Sequence, residues 1–419
     1  MSKSVAIIGS GPVGLAAAAH VLERGLIPIV LEAGESIATA VRQWRHVQLF
    51  SAWGYNIDAA AARLLERSGW KSPDPETFST GGELIDRYLE PLATTTKLKE
   101  RIRTSSRVVG ISRVGLDKLR TGGREAAPFE IHYQSGDILR TLNVDSIIDA
   151  SGNWFSPNPA GANGLPAIGE TGLRGRIAYS MPDVLGRDRA RYTGRTTAVL
   201  GAGHSAIGTL IDLVRLKSLS PGTEVVWLLR GADPEKAFGG GADDKLSARG
   251  ALGRQFGSLV ASGQINLERE FRVTHISAAG DRLRLDARSA SCERHTVVDE
   301  LVVSTGFRAD LSFLRELRIS LDPATESPPA LAPLIDPNEH SCGTVRPHGA
   351  QELRQPETGF YFAGMKSYGR APTFLMRTGY EQVRSIAAAI AGDDEASLRV
   401  DLVLPQTGIC RRSAVATGF

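Results

Sequence analysis

The 419-residue sequence predicts an α/β chain of two nucleotide-binding units, each a parallel sheet flanked by helices, with the second unit inserted into the first. Three observations carry that reading. A strand, a Gly-rich turn and a helix follow one another from Val5; the same pattern recurs from Thr197; and three further apolar strands end in glycine turns, at Ser151-Gly152, Thr305-Gly306 and Ala363-Gly364. Glycine supplies 45 of 419 residues, well above the ~7 % of average usage, so where the glycines fall is informative.

Composition narrows the function classes. With 49 Lys and Arg against 46 Asp and Glu, the net charge is only +3, which argues against a surface built to neutralise a nucleic-acid backbone. No apolar run reaches the ~20 residues that span a bilayer, and the apolar stretch from Val5 is cut at Gly9, unlike a signal peptide. No membrane contact is therefore expected. The three cysteines, Cys292, Cys342 and Cys410, form neither a Cys-x-x-Cys pair nor a zinc-ligand spacing, so no metal site is expected and a reduced, cytoplasmic chain is.

In the first cluster, Gly9-Ser-Gly11-Pro12-Val-Gly14 links the strand beginning at Val5 to an apolar helix. The three glycines serve different ends. Gly9 permits the turn, Gly11 lets backbone approach a pyrophosphate, and Gly14 allows helix to pack closely on strand. Pro12 suits the first helical position, and the helix start offers free N–H groups and a positive dipole end. A second strand, Ile27 to Leu31, runs into Glu32, whose carboxylate can accept from both hydroxyls of an adenosine ribose.

The second cluster, Gly201-Ala-Gly203-His204-Ser205-Ala206, repeats the arrangement, but the strand after its helix runs into Arg230 instead of an acid. Arginine at that place can pair with a 2′-phosphate, which favours NADPH over NADH; a solvated strand-end residue is the alternative. The boundaries read as 1–160 for the first nucleotide-binding part, 161–195 for a linker, 196–306 for the inserted unit, 307–400 for the return of the first unit, and 401–419 for a tail. The Gly239-Gly240-Gly241 run reads as a loop that moves as the nicotinamide cofactor enters. After the return strand at Phe360, a helix carries apolar residues at Val383, Ile386, Ala387 and Ile390, the spacing of one buried face.

With both fingerprints, the Asp149-Ala-Ser-Gly and Ser304-Thr-Gly-Phe turns, and the Phe362-Ala-Gly return, the chain resembles the two-dinucleotide-binding-domain flavoproteins of glutathione-reductase-like layout along essentially its whole length. That resemblance implies two Rossmann-like domains, with FAD in the first and NADPH in the inserted second. Without a redox cysteine pair, the chain looks more like the class B flavin monooxygenases, which include flavin-containing, N-hydroxylating and Baeyer–Villiger enzymes. One motif departs from them: in Leu173-Arg-Gly175-Arg-Ile-Ala-Tyr179, tyrosine stands where the linker signature of flavin-containing monooxygenases has histidine.

The resemblance implies an NADPH-dependent monooxygenase that forms a C4a-(hydro)peroxyflavin and passes one oxygen to a nitrogen or sulfur of a small molecule, with that substrate and O₂ as partners and the oligomeric state open. The alternatives are a reductase passing electrons to a protein or quinone acceptor, and a flavin or nucleotide sensor without turnover. Cofactor contacts are expected from Arg42, Trp44 and Gln48, from Val108 beside the adenine, from Ser151, Gly152, Asn153 and Trp154, from Thr305, Gly306 and Phe307, and from Gly364 and Met365. Asn56, Gln48 and Tyr368 are the expected catalytic residues, with Lys366 and Arg370 near Tyr368 where substrate groups are often met; an ordinary solvated loop is the alternative for these three. A core role for Trp44 and a surface role for the arginines are the competing readings.

Overall fold

The computed structural model describes residues 2–239, 247–289, 292–339, 345–371 and 375–402. They form two compact units, one running up to Phe155 and resuming at Arg308, the other Ser156–Phe307. Gly240 and Gly241 of the expected mobile loop lie outside the described residues, as do Cys342 and Cys410.

The first unit is organised on a parallel sheet of β1 (Ser4–Ile8), β2 (Ile27–Leu31), β3 (Ile102–Arg103), β4 (Ser146–Asp149) and a return strand, Phe360–Phe362. From edge to edge the order is return strand, β4, β1, β2, β3. Central β1 is apolar at successive positions because both faces of a parallel sheet are covered. Ile7 pairs with Val30 on one side and Ile148 on the other. Val5 and Ile7 pack with α1 (Pro12–Glu23) and the helix Met376–Ala391. Ala6 and Ile8 point the other way, onto an antiparallel layer that contributes Val108, Ile111, Phe129 and Ile131. Alanines 16 to 19 of α1 are fully buried, and their small side chains let the helix lie close to the sheet. The expected face of Val383, Ile386, Ala387 and Ile390 is buried in the same core.

The second unit repeats this plan. Its parallel sheet has β5 (Ile177–Tyr179), β6 (Thr196–Leu200), β7 (Glu224–Leu228), β8 (Asn266–Glu268) and β9 (Glu300–Val303), ordered β5, β9, β6, β7, β8. Val199, Val225, Trp227 and Val302 face the helix layer, which includes α2 (His204–Leu219). Ala198, Leu200, Leu228 and Leu301 face an antiparallel meander of Arg272–Ala279, Arg282–Arg288 and Glu293–Val298. Alternate side chains of each strand thus feed two separate cores, as a period of two requires. Segment 161–195, read from sequence as a linker, supplies β5, which pairs with β9 at the edge of this sheet.

Candidate cofactor sites

In the first unit the Gly9–Gly14 turn has the geometry its glycines predict. A Cβ on Gly14 would lie 2.0 Å from the Gly9 carbonyl oxygen, and one on Gly9 would lie 2.8 Å from the Ala150 carbonyl oxygen. Both contacts are closer than any side chain tolerates, so helix, turn and the end of β4 meet only through glycine. A Cβ on Gly11, by contrast, would meet nothing within 4 Å. Gly11 is also the N-cap of α1, with no side chain bonded to the helix start and Pro12 in the first turn. Open space before uncapped amides fits a pyrophosphate.

Glu32 closes this half of the site. Its buried carboxylate accepts from the Ser10 backbone N–H at 2.9 Å, the Ser10 hydroxyl at 2.6 Å and the Gly34 N–H at 2.9 Å. A carboxylate offers about four acceptor directions, so capacity remains for a ribose hydroxyl. The Ala38 amide donates to Ser10 Oγ, which ties the following turn to the same carboxylate. Val108, expected beside the adenine, is buried in the core that also holds Ile8 and Leu31.

At the end of β4 lies a cluster that sequence reasoning missed. Asp149 is fully buried, its Oδ1 accepting from the Ser151 amide at 3.1 Å and the Ser151 hydroxyl at 2.6 Å. Its Oδ2 faces Lys366 Nζ at 2.7 Å, and that ammonium also donates to Ser151 Oγ at 3.1 Å and sits 4.4 Å from the Phe313 ring centre. A carboxylate in the otherwise apolar Ile147-Ile148-Asp149 was a visible signal that a buried cation must exist. Beyond this turn, Trp154 Nε1 donates to Gln43 Oε1 at 2.7 Å, and its ring centre lies 6.5 Å from that of Trp44. Trp44 itself packs against Gly81, where a Cβ would sit 2.7 Å from the indole.

The other expected residues divide. Arg42 spends its guanidinium on the Ile37 carbonyl and, at 2.5 Å, on Glu90. Gln48 is exposed, Asn153 and Met365 are half-buried. Asn56, expected among the catalytic residues, is turned inward. It has no exposure, its Oδ1 accepts from Ser51 Oγ at 2.6 Å, and its Nδ2 donates to the Ser51 carbonyl at 2.8 Å. The amide braces a turn. Tyr368 is likewise buried, its ring 5.6 Å from that of His348, and Lys366 is withdrawn into the ion pair instead of facing substrate. Arg370 is exposed. Gly364 donates its amide to Gln382 Oε1 at 2.8 Å, and the Gln382 amide nitrogen reaches His348 Nε2 at 2.9 Å. That bond requires neutral His348 with its proton on Nδ1, facing the Arg346 carbonyl at 3.1 Å.

The second unit offers a matching glycine turn. A Cβ on Gly201 would lie 2.3 Å from the Ser304 carbonyl oxygen, while one on Gly203 would meet nothing within 4 Å. Gly203 caps α2 with no side-chain bond; His204 at the helix start is exposed, Ser205 half-buried and Ala206 buried. Arg230 is exposed just past the end of β7, its guanidinium 3.4 Å from the Ala162 carbonyl oxygen. Thr305 donates its hydroxyl to the carbonyls of Asn158 and Pro159, and the Gly306 carbonyl accepts from the Asn158 amide. Phe307 bridges to Pro157. Tyr179, at the position of the family histidine, donates its hydroxyl to Glu170 at 2.8 Å. Among the described residues no group of three or more His, Cys, Asp or Glu side chains is placed to hold a metal, and no helix is long and apolar enough to cross a membrane.

Comparison with known proteins agrees with this architecture. Residues 6–334 match the model of a family described as pyridine nucleotide-disulphide oxidoreductase. Bacillithiol disulfide reductase Bdr (YpdA) from Bacillus cereus superposes with a TM-score of 0.69 at 20 % identity, over 94 % of this chain and 99 % of that one. The FAD-bound cadaverine monooxygenase DfoA from Erwinia amylovora gives 0.64 at 14 % identity, over 97 % and 99 %. The ornithine N-hydroxylase KtzI from Kutzneria sp. 744 gives 0.62 at 17 % identity, over 94 % and 100 %. At such identities the likeness is one of fold. No curated protein matches the sequence.

Proposed function

The chain belongs to the pyridine nucleotide-disulphide oxidoreductase family, and from that premise we propose that it is an FAD- and NADPH-dependent monooxygenase acting on a nitrogen or sulfur of a small molecule. The balanced reaction consumes NADPH, a proton, O₂ and substrate, and yields NADP⁺, water and the singly oxygenated product. The observation that carries the reading is the aromatic pair of Trp44 and Trp154 beside the Ser151-Gly152 turn, with the Trp154 indole N–H donating to Gln43. Oxygen transfer requires a reaction centre from which water is excluded, and these two half-buried indoles would supply apolar wall to such a centre.

Bound FAD supplies hydride acceptance and reaction with O₂; the chain supplies everything else. The amides at the start of α1 hold the pyrophosphate, with the Gly11 backbone in close approach, and Glu32 accepts from the ribose. Asn153 and Gln48 would donate to polar edges of the ring system, and Gly364 and Met365 would line it through backbone. In the inserted unit, Gly203, His204 and Ser205 hold the nicotinamide cofactor's phosphates and Arg230 pairs with the 2′-phosphate. Cys292 is exposed between two strands of the meander.

The decisive measurement is stopped-flow absorbance of NADPH-reduced protein mixed with oxygenated buffer, followed by assay of NADPH consumed against hydrogen peroxide released. A transient in the near ultraviolet before oxidised flavin returns, with peroxide falling when an amine or thioether is added, is expected. Direct return to oxidised flavin, with rapid electron delivery to a quinone or protein acceptor, would replace this reading with a reductase.

A further inference from the structure

A cavity of about 930 Å³ in the second unit is lined by none of the residues placed at the nucleotide. Its floor is the outer face of the antiparallel meander, and its wall is the strip from Gly161 to Ile168. The strip is fixed: the Ala162 amide donates to Val273, Ile168 and the meander exchange bonds at 2.9 and 2.8 Å, and buried Glu170 accepts from the amides of Ala160 and Ala167. The site is therefore preformed.

Its charge pattern is unusual for a sheet. Arg272 stands directly opposite Arg288 on adjacent antiparallel strands, and like charges in that register destabilise a sheet. Glu293, opposite Arg288 on the third strand, is 4.0 Å away, and among the described residues no carboxylate is within ion-pair distance of Arg272. In the next row Asp286 lies between His275 and His295, its Oδ1 taken by Arg284 at 2.8 Å. A register shift between Val273 and His275 re-aims side chains at this point. Against these cations the strip presents Leu165 and Ile168, 63 % and 67 % exposed, with Pro166 between them.

We propose that this cavity binds a small anion with an apolar body, its carboxylate or phosphate oxygens held by Arg272 and Arg288 and its body laid against Leu165, Pro166 and Ile168. Charge complementarity assigns the head, because an oxyanion between the two guanidiniums relieves their repulsion and takes charge-assisted hydrogen bonds. The exposed aliphatic wall assigns the body. The site is independent of the oxygenation chemistry and stands whichever reaction the cofactors carry out.

Calorimetric titration of the FAD-loaded protein, with NADP⁺ saturating, tests this with decanoate, adenosine 5′-monophosphate and inorganic phosphate as separate probes. Binding of decanoate alone supports the proposal with an aliphatic acid as the source, and binding of the nucleotide alone supports it with a nucleoside phosphate. In either case Arg272→Ala and Arg288→Ala, both exposed, each weaken binding about tenfold, and Ile168→Asp weakens it as well. Binding of neither organic probe overturns the proposal. So does binding that persists unchanged in the double arginine variant, or inorganic phosphate binding as tightly as the organic probes, since the apolar wall would then contribute nothing.

Discussion

Lys366 Nζ lies 2.7 Å from Asp149 Oδ2, with the two side chains 1 % and 0 % exposed. The pair joins the end of β4 to the turn after the return strand, so these two turns of the first unit share one lock. Removing a single partner strands a charge in the interior, which costs roughly 3–5 kcal/mol, whereas removing both is far milder. Lys366→Met should therefore unfold at much lower urea than wild type, and Lys366→Met with Asp149→Asn should recover most of the loss. Equal unfolding midpoints for the single variant and wild type would show that the ammonium stabilises nothing.

Gly11 and Gly14 should separate folding from cofactor binding. A Cβ at Gly14 collides with the Gly9 carbonyl, while one at Gly11 enters open space. Gly14→Ala is expected to lower the melting temperature of the cofactor-free protein. Gly11→Ala should leave that melting temperature nearly unchanged yet weaken FAD by about tenfold or more, measured by flavin fluorescence on titration.

Arg230→Ala should raise the dissociation constant for NADPH by about tenfold to a hundredfold, the loss of one charge-assisted bond, and leave NADH unchanged. Fluorescence quenching with each nucleotide measures the ratio. Equal losses for the two would remove Arg230 from the 2′-phosphate.

His348 predicts an acid-sensitive flavin edge. Burial holds its imidazole below the ordinary histidine range, and the hydrogen bond to the Arg346 carbonyl only partly offsets this. A group whose folded pKa is depressed contributes its full stability above the unfolded value, about 6.5, and loses it as pH falls from there through the folded value. Unfolding free energy should drop by up to about 1.4 kcal/mol per pH unit in that window. Protonation at Nε2 also sets a second donor against the Gln382 amide, which releases the Gly364 tie, so FAD should dissociate more readily over the same range. Melts of His348→Gln should lack this component; an unchanged pH slope would count against it.

Glu357 should act at lower pH. Burial alone would raise its pKa, but hydrogen bonds from Arg124, the Arg318 amide and Arg113 outweigh burial and hold it below the usual carboxylate range. Its contribution is full above about pH 4.3 and is lost as pH falls through the depressed value. Glu357→Gln should cost about 3–5 kcal/mol at neutral pH, because Arg113 and Arg124 are left buried without their shared carboxylate. Chemical denaturation at pH 7 checks the magnitude; a loss under about 1 kcal/mol would show that the two arginines find other partners.

Much of this protein is determined by local sequence. The two glycine turns, the strands that feed them, Glu32 and Arg230 at matching strand ends, and the buried face of the helix Met376–Ala391 follow from spacing and residue type, because steric demands on a phosphate turn and the periods of helix and strand act over a few neighbours. Tertiary structure decided the pairings between segments far apart in the chain. Only folding shows that Asp149 meets Lys366, that Trp154 donates to Gln43, that Asn56 and Tyr368 turn inward, and that Arg272 faces Arg288 across a meander. These depend on sheet order and strand register, which bring distant residues to hydrogen-bond distance, and on burial, which decides whether a polar side chain meets a ligand or a partner from the chain itself.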